Sequence, residues 1–206
     1  DLLAELAPLG SLHAVEPSPT LIAELEGNVR HKPARGLFAH QAYGDALPLA
    51  DQSIDFSYTR FVLQHVPKPD AVVQEVFRVT RPGGRFCAVD SDDGLVLFHP
   101  PEPRVDHVLS NAQTIQANQG GDRFIGRKMQ DMMQRAGFSN VKTRVMMLTS
   151  SELPFPVLFN ILLGYKASLL GDTVDLPRLF EDLSADVAAG RRLVAAGVFI
   201  VSGERA

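Results

Sequence analysis

The chain has 206 residues, of which 45% are hydrophobic, a mean hydropathy of +0.01 and a formal net charge of −4. A chain of this length and polarity buries a substantial core, which excludes a disordered or fibrous protein and favours one globular domain. The 20 basic residues are scattered, so the sequence predicts no nucleic-acid partner. The longest apolar stretch, residues 155–165, is interrupted and too short for a membrane span, and no signal peptide is visible.

Cysteine and histidine content limits the kinds of site. The single Cys87 excludes an internal disulfide and a zinc cluster of thiolates, and it fits a reducing cytoplasm. The six histidines are dispersed, and none pairs with another ligand at a spacing typical of metal sites. The sequence therefore predicts no metal site and a cytoplasmic location.

The N-terminal half reads as strands alternating with helices. Leucines recur at helical spacing over residues 1–9, so a helix is already under way at residue one, and a strand over 12–16 follows and ends at Glu16. The further predicted elements are a helix over 19–30, strands over 37–42 and 54–61, a helix over 71–80 that Pro67 and Pro69 open and residues 81–84 end, and a strand over 85–91.

This alternation predicts the fold class. Strands and helices at this spacing form βαβ units with right-handed crossovers, which gives an α/β fold with a doubly wound, mostly parallel sheet. Ligands of such sheets bind outside the carboxyl ends of the strands. The first half therefore predicts a site lined by Glu16, Asp45, Arg60 and the aspartates of residues 90–93.

The second half is less regular. Three prolines and a polar helical pattern make residues 94–122 an expected insertion over the sheet. The other predicted elements are a helix over 125–138, a strand over 141–148, a mixed apolar region over 151–172, a helix over 176–197 and a closing strand from 198. We expect one domain over 1–206, with 94–122 and 151–190 forming the substrate side.

Four motifs resemble one family. They are HAVEPSPTLI (13–22), AYGDALPLADQSIDFSYTRFVLQHV (42–66), PDAVVQEVFRVTRPGGRF (69–86) and RAGF (135–138). Together they resemble the class I S-adenosylmethionine-dependent methyltransferases, in particular the small-molecule type that includes quinone-, sterol- and antibiotic-modifying enzymes. The resemblance implies a Rossmann-like sheet with an antiparallel last strand. It also implies S-adenosylmethionine as cofactor and S-adenosylhomocysteine as product.

The resemblance implies the residues that hold the cofactor. Glu16, followed by Pro17, would accept both ribose hydroxyls from the tip of its strand, as acidic residues do in dinucleotide folds. Asp45 would accept from the adenine amino group, and Ala46 would supply a backbone donor to the ring. The alternatives are an exposed carboxylate at a strand end for Glu16 and an ordinary turn residue for Asp45.

The next strand end departs from one branch of the family. Methyltransferases that act on amino groups of nucleobases or protein glutamine carry an Asn/Asp-Pro-Pro-Tyr tetrad there, whereas this chain has Arg60, Phe61, Val62 and Leu63. The departure argues against those substrates. On the resemblance, Arg60 and Phe61 contact the methionine part of the cofactor; a solvated arginine is the alternative.

Two further groups are candidates for chemistry. His65 has a side chain whose ordinary pKa suits proton transfer at physiological pH, which makes it a candidate catalytic base; the alternative is a residue that caps or packs a helix. Methyl transfer from a sulfonium needs only an aligned nucleophile, so positioning alone could suffice. The aspartates at positions 90, 92 and 93 could hold a hard cation, but a turn is the stronger interpretation and we predict no metal.

Apolar residues of the second half predict the acceptor. Phe98, Leu153, Phe155, Phe159 and Leu162 would wall a site for a small, fairly apolar metabolite methylated at oxygen, carbon or nitrogen. Such a stripe at helical spacing is more often part of the core or of a homodimer face. The runner-up function is a non-catalytic methyltransferase-like domain that binds or scaffolds.

One family element is expected before residue 1. The glycine-rich loop that follows the family's first strand would lie just upstream of Asp1, and residues 1–9 would be the helix that the family places after it. No glycine pair within the chain, neither 83–84 nor 120–121, replaces this loop. We expect an upstream strand and loop; the alternative is a partial domain with a degenerate cofactor site.

Overall fold

The structure, a computed structural model, describes residues 10–30, 36–164, 166 and 175–206. In chain order its elements are β1 (Leu12–Glu16), α1 (Pro19–Arg30), β2 (Leu37–Gln41), β3 (Ile54–Arg60), a 3-10 turn (Leu63–His65), α2 (Pro69–Val79), β4 (Thr80–His99), α3 (Pro103–Asn118), a 3-10 turn (Gly126–Lys128), α4 (Met129–Ala136), β5 (Ser139–Thr149), α5 (Phe155–Phe159), a π-helical turn (Asn160–Gly164), α6 (Leu176–Ala188) and β6 (Leu193–Glu204). The predicted opening helix over 1–9 lies outside the described residues.

The described strands form two sheets. β1 and β2 pair in parallel, and a four-stranded sheet has the order β3-β4-β6-β5. β3 and β4 are parallel, whereas β6 runs antiparallel to both β4 and β5. The predicted α/β architecture and its antiparallel last strand are confirmed. None of the described helices is long and apolar enough to cross a membrane.

β4 carries a wide irregularity in its pairing with β6. Between Ser91 and Val96, β4 advances five residues while β6 advances two, from Val198 to Ala196, so β4 holds three extra residues. Successive side chains of a strand point to opposite faces, so an odd number of extra residues moves alternate positions to the other face. The even-numbered positions of β4 therefore face one side of the sheet before the irregularity and the other side after it.

The two hydrophobic cores lie on these opposite faces. The first core packs α2 and α4 against Phe86, Ala88 and Val201. The second packs α3, α5 and α6 against Val194 and Ala196. On β6, Val201 is an odd number of residues from Val194, so the period of two places them on different faces. Helices thus cover both faces of the four-stranded sheet.

The predicted apolar walls belong to the second core. Phe155 and Leu162 are buried members of it, and Phe98 and Phe159 pack against its edge. Leu153 is half-buried at the turn before α5. The alternative interpretation, that this stripe is core, is confirmed for the four residues other than Leu153. The homodimer face stays a prediction.

Two predicted boundaries were wrong. The helix expected over 176–197 ends at Ala188, Gly190 adopts a φ of +67°, and β6 begins at Leu193. Residues 194–198 are buried on both faces of the sheet, so they lack the alternating pattern that marks a strand. The strand expected over 85–91 extends from Thr80 to His99, so the start of the expected insertion is sheet.

Candidate active site

The carboxyl end of β1 contacts the loop after β2. Glu16 is half-buried, and its Oε1 accepts a hydrogen bond from the Ser18 amide at 2.9 Å. The Ala42 amide donates to the Glu16 carbonyl oxygen at 3.3 Å, which brings the loop that carries Asp45 to this strand end. Asp45 and the adjacent Ala46 are exposed, as is Pro17. The structure therefore groups the four residues at one edge.

Arg78 of α2 holds the loop that follows β2. Arg78 donates to the carbonyl oxygens of Leu47 and Leu49, each at 3.0 Å, and to the carboxylates of Glu75 and Asp51. The Glu75 carboxylate also accepts from the Leu47 amide at 2.9 Å. These hydrogen bonds, those from Arg78 first, hold the pKa of Glu75 below its ordinary value. None of these hydrogen bonds uses the carboxylate of Asp45.

The end of β3 has two unusual features. Phe61 adopts a φ of +54°, a left-handed conformation that is uncommon for a large side chain, while its amide donates to the Val89 carbonyl at 2.8 Å. Thr59 Oγ1 is buried and has no hydrogen-bond partner in the part of the chain that the structure describes. Arg60 lies between these two residues and is exposed. Strained backbone and unsatisfied polar atoms are typical of functional sites.

A buried carboxyl group lies at the same edge, on β4. Asp90 is 1% exposed and accepts from the amides of Gln64 at 3.3 Å and Ser91 at 3.0 Å. Burial raises the pKa of Asp90 to about 6, against the lowering effect of those amides. The Ser91 hydroxyl in turn donates to Gln64 Oε1 at 3.2 Å. The 3-10 turn after β3 is therefore tied to β4.

Asp93 is the centre of a buried group of charges. Arg123 donates to both of its carboxylate oxygens, at 2.9 and 3.1 Å, and Lys166 Nζ lies 3.4 Å from Oδ1. The three side chains are 8%, 6% and 2% exposed as residues. Lys166 also donates to the Leu162 carbonyl, and burial lowers its pKa to about 8. Two cations and one carboxylate thus share a buried position on β4, a few residues beyond the point where β3 ends.

The predicted aspartate cluster does not converge. Asp92 binds Arg127 through both oxygens, at 2.8 and 2.5 Å, whereas Asp93 binds Arg123 and Asp90 binds backbone amides. Among the described residues there is no group of three or more histidine, cysteine, aspartate or glutamate side chains that could hold a metal ion. Each of the three carboxylates has its own partners, so each makes a separate structural contact.

His65 lies at the end of the 3-10 turn and contacts α3. Its Nδ1 is 3.2 Å from Gln116 Nε2, and the same amide nitrogen contacts the Gln64 carbonyl oxygen at 2.5 Å. Gln116 Oε1 lies 3.4 Å from Arg123 Nη1, and Arg123 Nη1 also donates to Gln64 Oε1 at 2.5 Å. Burial, followed by the charge of Arg123, lowers the pKa of His65.

Three residues of this edge were not predicted from the sequence. Gln116, Arg123 and Lys166 come from α3 and from segments that follow it. Each is at least 51 residues from its partner in the 3-10 turn or at least 30 residues from its partner on β4. A run of acidic residues at a buried strand end requires cations nearby, which is the one signal that pointed to such partners. The sequence does not say which of its 20 basic residues they are.

Comparison with known proteins agrees with this geometry. Residues 1–88 match the family described as the methyltransferase domain. An uncharacterized methyltransferase of Mycobacterium ulcerans is 43% identical over 99 residues, which is 48% of this chain and 37% of that protein. The ubiquinone/menaquinone biosynthesis C-methyltransferase UbiE of Bartonella bacilliformis is 30% identical over 123 residues, which is 50% of this chain and 45% of that protein. The chain thus spans less than half the length of these relatives.

The fold gives a match over nearly the whole chain. A solved SAM-dependent methyltransferase of Methanosarcina mazei superposes with a TM-score of 0.59 over 98% of this chain and 85% of that one, at 15% identity. At that identity the likeness shows the fold alone. This fold and the match of residues 1–88 to the methyltransferase domain, a segment of less than half of the chain, both agree with the predicted Rossmann-like methyltransferase architecture.

Proposed function

We propose that the protein transfers the methyl group of S-adenosylmethionine to a small, fairly apolar acceptor, at oxygen, carbon or nitrogen. The observation that carries this proposal is the match of residues 1–88 to the methyltransferase domain, because that segment supplies Glu16 at the end of β1, Asp45 in the loop after β2 and Arg60 at the end of β3. In a doubly wound fold the ligand binds at the carboxyl ends of the strands.

The residues at the edge fit the cofactor by their chemistry. The Glu16 carboxylate can accept from two ribose hydroxyls, with Oε1 already oriented by the Ser18 amide. Asp45 can accept from the adenine amino group, and the Ala46 amide can donate to the ring. Thr59 adds a buried hydroxyl without a partner among the described residues, which a polar ligand at the end of β3 could engage.

The methionine end of the cofactor would lie at the end of β3. Arg60 is exposed there and its guanidinium suits the cofactor's carboxylate. The left-handed backbone of Phe61 turns the chain sharply from β3 into the 3-10 turn. Pro17, next to Glu16, completes the proposed cofactor set.

When bound, S-adenosylmethionine supplies an electrophilic methyl group on a sulfonium. The chain's own residues orient the reactants and exclude water. Asp93, Arg123 and Gln64 form a buried set of hydrogen bonds that holds β4, the turn at 63–65 and the segment after α3 in one arrangement. Such fixed positions favour an aligned transfer.

An apolar acceptor is supported by one relative and by the surroundings of the edge. The Bartonella relative is named a ubiquinone/menaquinone biosynthesis C-methyltransferase, which is consistent with a carbon acceptor on an apolar ring. The second core, with Phe155 and Phe159, lies on the side of the sheet that carries Lys166 and α3. The scattered basic residues argue against a nucleic-acid substrate, and Cys87, as a free thiol, is consistent with a cytoplasmic protein.

The test is a calorimetric titration of the full-length protein with S-adenosylhomocysteine. Micromolar binding, which corresponds to about −8 kcal/mol, is expected. If the folded protein binds neither S-adenosylhomocysteine nor S-adenosylmethionine, the proposed enzymatic function is overturned and the interpretation as a scaffold remains. A screen of small phenolic, quinol and amine acceptors with labelled cofactor then identifies the methylated atom.

A further inference from the structure

Two histidines that are distant in sequence meet on the sheet of β1 and β2. His13 Nδ1 lies 2.9 Å from His40 Nε2, although the two residues are 27 positions apart. The strands pair in parallel with His13 opposite Phe38, so His40, two residues further along β2, lies on the same face. Only the register of the two strands brings the pair together, which is why the dispersed histidines of the sequence did not indicate it.

The contacts of the His13 ring fix its orientation. The ring lies nearly parallel to those of Phe38 and His40, at interplanar angles of 16° and 13°. Its second nitrogen, Nε2, lies 3.1 Å from the Ser11 hydroxyl oxygen. Turning the ring by half a rotation would put carbons where both nitrogens stand and would lose both hydrogen bonds. Nδ1 is therefore the atom that faces His40.

The two rings share one proton between them. A neutral imidazole has one nitrogen that donates and one that accepts, so their hydrogen bond uses a proton of one ring and a lone pair of the other. When each ring instead carries its proton on the outer nitrogen, two lone pairs face each other across 2.9 Å. The Ser11 hydroxyl can accept the outer proton of His13. Histidines that bind metals typically donate their other ring N–H to a neighbouring oxygen in this way.

The distance between the facing nitrogens sets the coordination angle that the pair offers. Bonds from imidazole nitrogen to a divalent transition metal are about 2.0–2.1 Å long. Two such bonds whose nitrogens are 2.9 Å apart meet at about 90°. This is the angle between neighbouring ligands in the tetragonal sites of Cu²⁺ and Ni²⁺, whereas a tetrahedral Zn²⁺ site separates its nitrogens by about 3.3 Å.

The pair is open to solvent. Ser11 is exposed, Phe38 is 50% exposed, and the two histidines are half-buried. A cation can therefore reach the rings and keep water at its other positions. The described residues offer no group of three or more histidine, cysteine, aspartate or glutamate ligands, so this site has two protein ligands.

We propose that His13 and His40 bind a divalent transition-metal cation of tetragonal coordination, Cu²⁺ or Ni²⁺, which links β1 to β2. The cation takes the place of the shared proton. That proton moves to the outer nitrogen of its own ring, so the neutral pair loses none. No residue of either strand is fully buried, so the cation would link a part of the fold that core packing holds weakly. This proposal does not depend on the proposed methyltransferase function.

The first experiment is a calorimetric titration of the full-length protein with Ni²⁺ alone. We expect one tight site in the wild type and a loss of at least about a hundredfold in affinity in both His13→Asn and His40→Asn, because the second ligand no longer adds to the first. Ser11→Ala should cost about tenfold, as is typical for the outer partner of a metal-binding histidine. His107→Asn, which removes an exposed histidine of α3, is the matched control and should keep the site.

Two results of this titration overturn the proposal. One is the absence of a tight site in the wild type, which needs no variant. The other is an unchanged affinity in either folded variant, His13→Asn or His40→Asn, because the cation then binds elsewhere. Urea unfolding shows which variants are folded. The same titration with Zn²⁺ tests the angle: weaker binding than that of Ni²⁺ is expected, and tighter binding contradicts the right-angle arrangement.

Electron paramagnetic resonance counts the ligands directly. With less than one equivalent of Cu²⁺, the wild type should show couplings to two imidazole nitrogens. His13→Asn and His40→Asn should each show one or none, and His107→Asn should match the wild type. A wild-type spectrum without nitrogen couplings, or a spectrum that is the same in all four proteins, contradicts the assignment of the two ligands.

Discussion

The two halves of the candidate site, one at the ends of β1 and β2 and the other on β4, differ in how their polar groups are satisfied. At β1 and β2 the side chains proposed to hold the cofactor are exposed or half-buried, and the surrounding loop is held by Arg78. On β4 the carboxylates of Asp90 and Asp93 are buried and bound within the protein. The first half leaves its polar groups for a ligand, whereas the second uses them to fix its own structure. Substitutions in the first half should therefore weaken binding, and substitutions in the second should weaken folding.

The largest effect is expected for Arg123→Leu. The change leaves Asp93 buried with Lys166 as its remaining cation, and breaking a buried ion pair typically costs about 3–5 kcal/mol of the free energy of unfolding. Urea unfolding measures the loss. Arg135→Leu is the matched control, since Arg135 pairs with Asp70 on the surface, and it should change stability by about 1 kcal/mol or less. Equal losses in both variants would remove the distinction between the two halves.

Asp90→Asn should change how stability depends on pH. The pKa of Asp90 is about 6 in the folded protein and 3.8 as its ordinary value, so between these values the folded state holds more protons than the unfolded state. The free energy of unfolding therefore falls as pH rises through this window, by about 3 kcal/mol at most. The variant carries no charge there and should lack this fall. Unfolding at about pH 4.5 and about pH 7.5 checks it; parallel curves for both proteins contradict it.

Glu16→Ala should weaken cofactor binding and keep the fold. Hydrogen bonds to a charged group are worth about 1.5–3 kcal/mol, so a loss of at least about tenfold in affinity for S-adenosylhomocysteine is expected by calorimetry. Glu24→Ala, at an exposed position of α1, should bind like the wild type. An affinity of Glu16→Ala equal to that of the control would remove the ribose assignment.

The smallest effect is expected for Lys166→Met, and with the opposite sign to Arg123→Leu. Burial lowers the pKa of Lys166 to about 8 from 10.5, so between these values the unfolded state holds more protons and stability rises with pH. Below that window the wild type carries the whole penalty of a buried charge. The variant should be more stable by about 1 kcal/mol near pH 7. This advantage should shrink as pH rises above 8, and a constant difference between unfolding curves would contradict it.

The fold was predicted best where local patterns are decisive. β1 and α1 have the predicted bounds because Glu16 ends an apolar run and Pro19 opens a helix. The start of β6 was mistaken for helix because Leu193 and the alanines that follow have high helix propensity and no alternation. Only burial between two layers of helices makes this segment a strand, and that information is tertiary.

The sequence predicted the strand-end residues of the candidate site but not their long-range partners. Glu16 and Asp45 stand next to recognisable strand ends and turns, so their neighbours in sequence identify them. Gln116 and Arg123 are polar residues that would be unremarkable on a surface. Their importance arises because α3 and the segment after it fold back over the turn at 63–65. No local periodicity encodes that return.

Because of the irregularity in β4, it matters whether the number of extra residues there is odd or even. Leu95 lies directly over Gly197, where a Cβ would stand 2.5 Å from the leucine Cβ, so the extra residues fit over glycine. Removing one residue from 92–95 would leave an even number of extra residues and turn Val96 and Phe98 from the second core to the opposite face. Deletions or insertions of two residues in this segment should therefore be tolerated better than those of one. Related sequences are expected to keep an odd number of extra residues in β4.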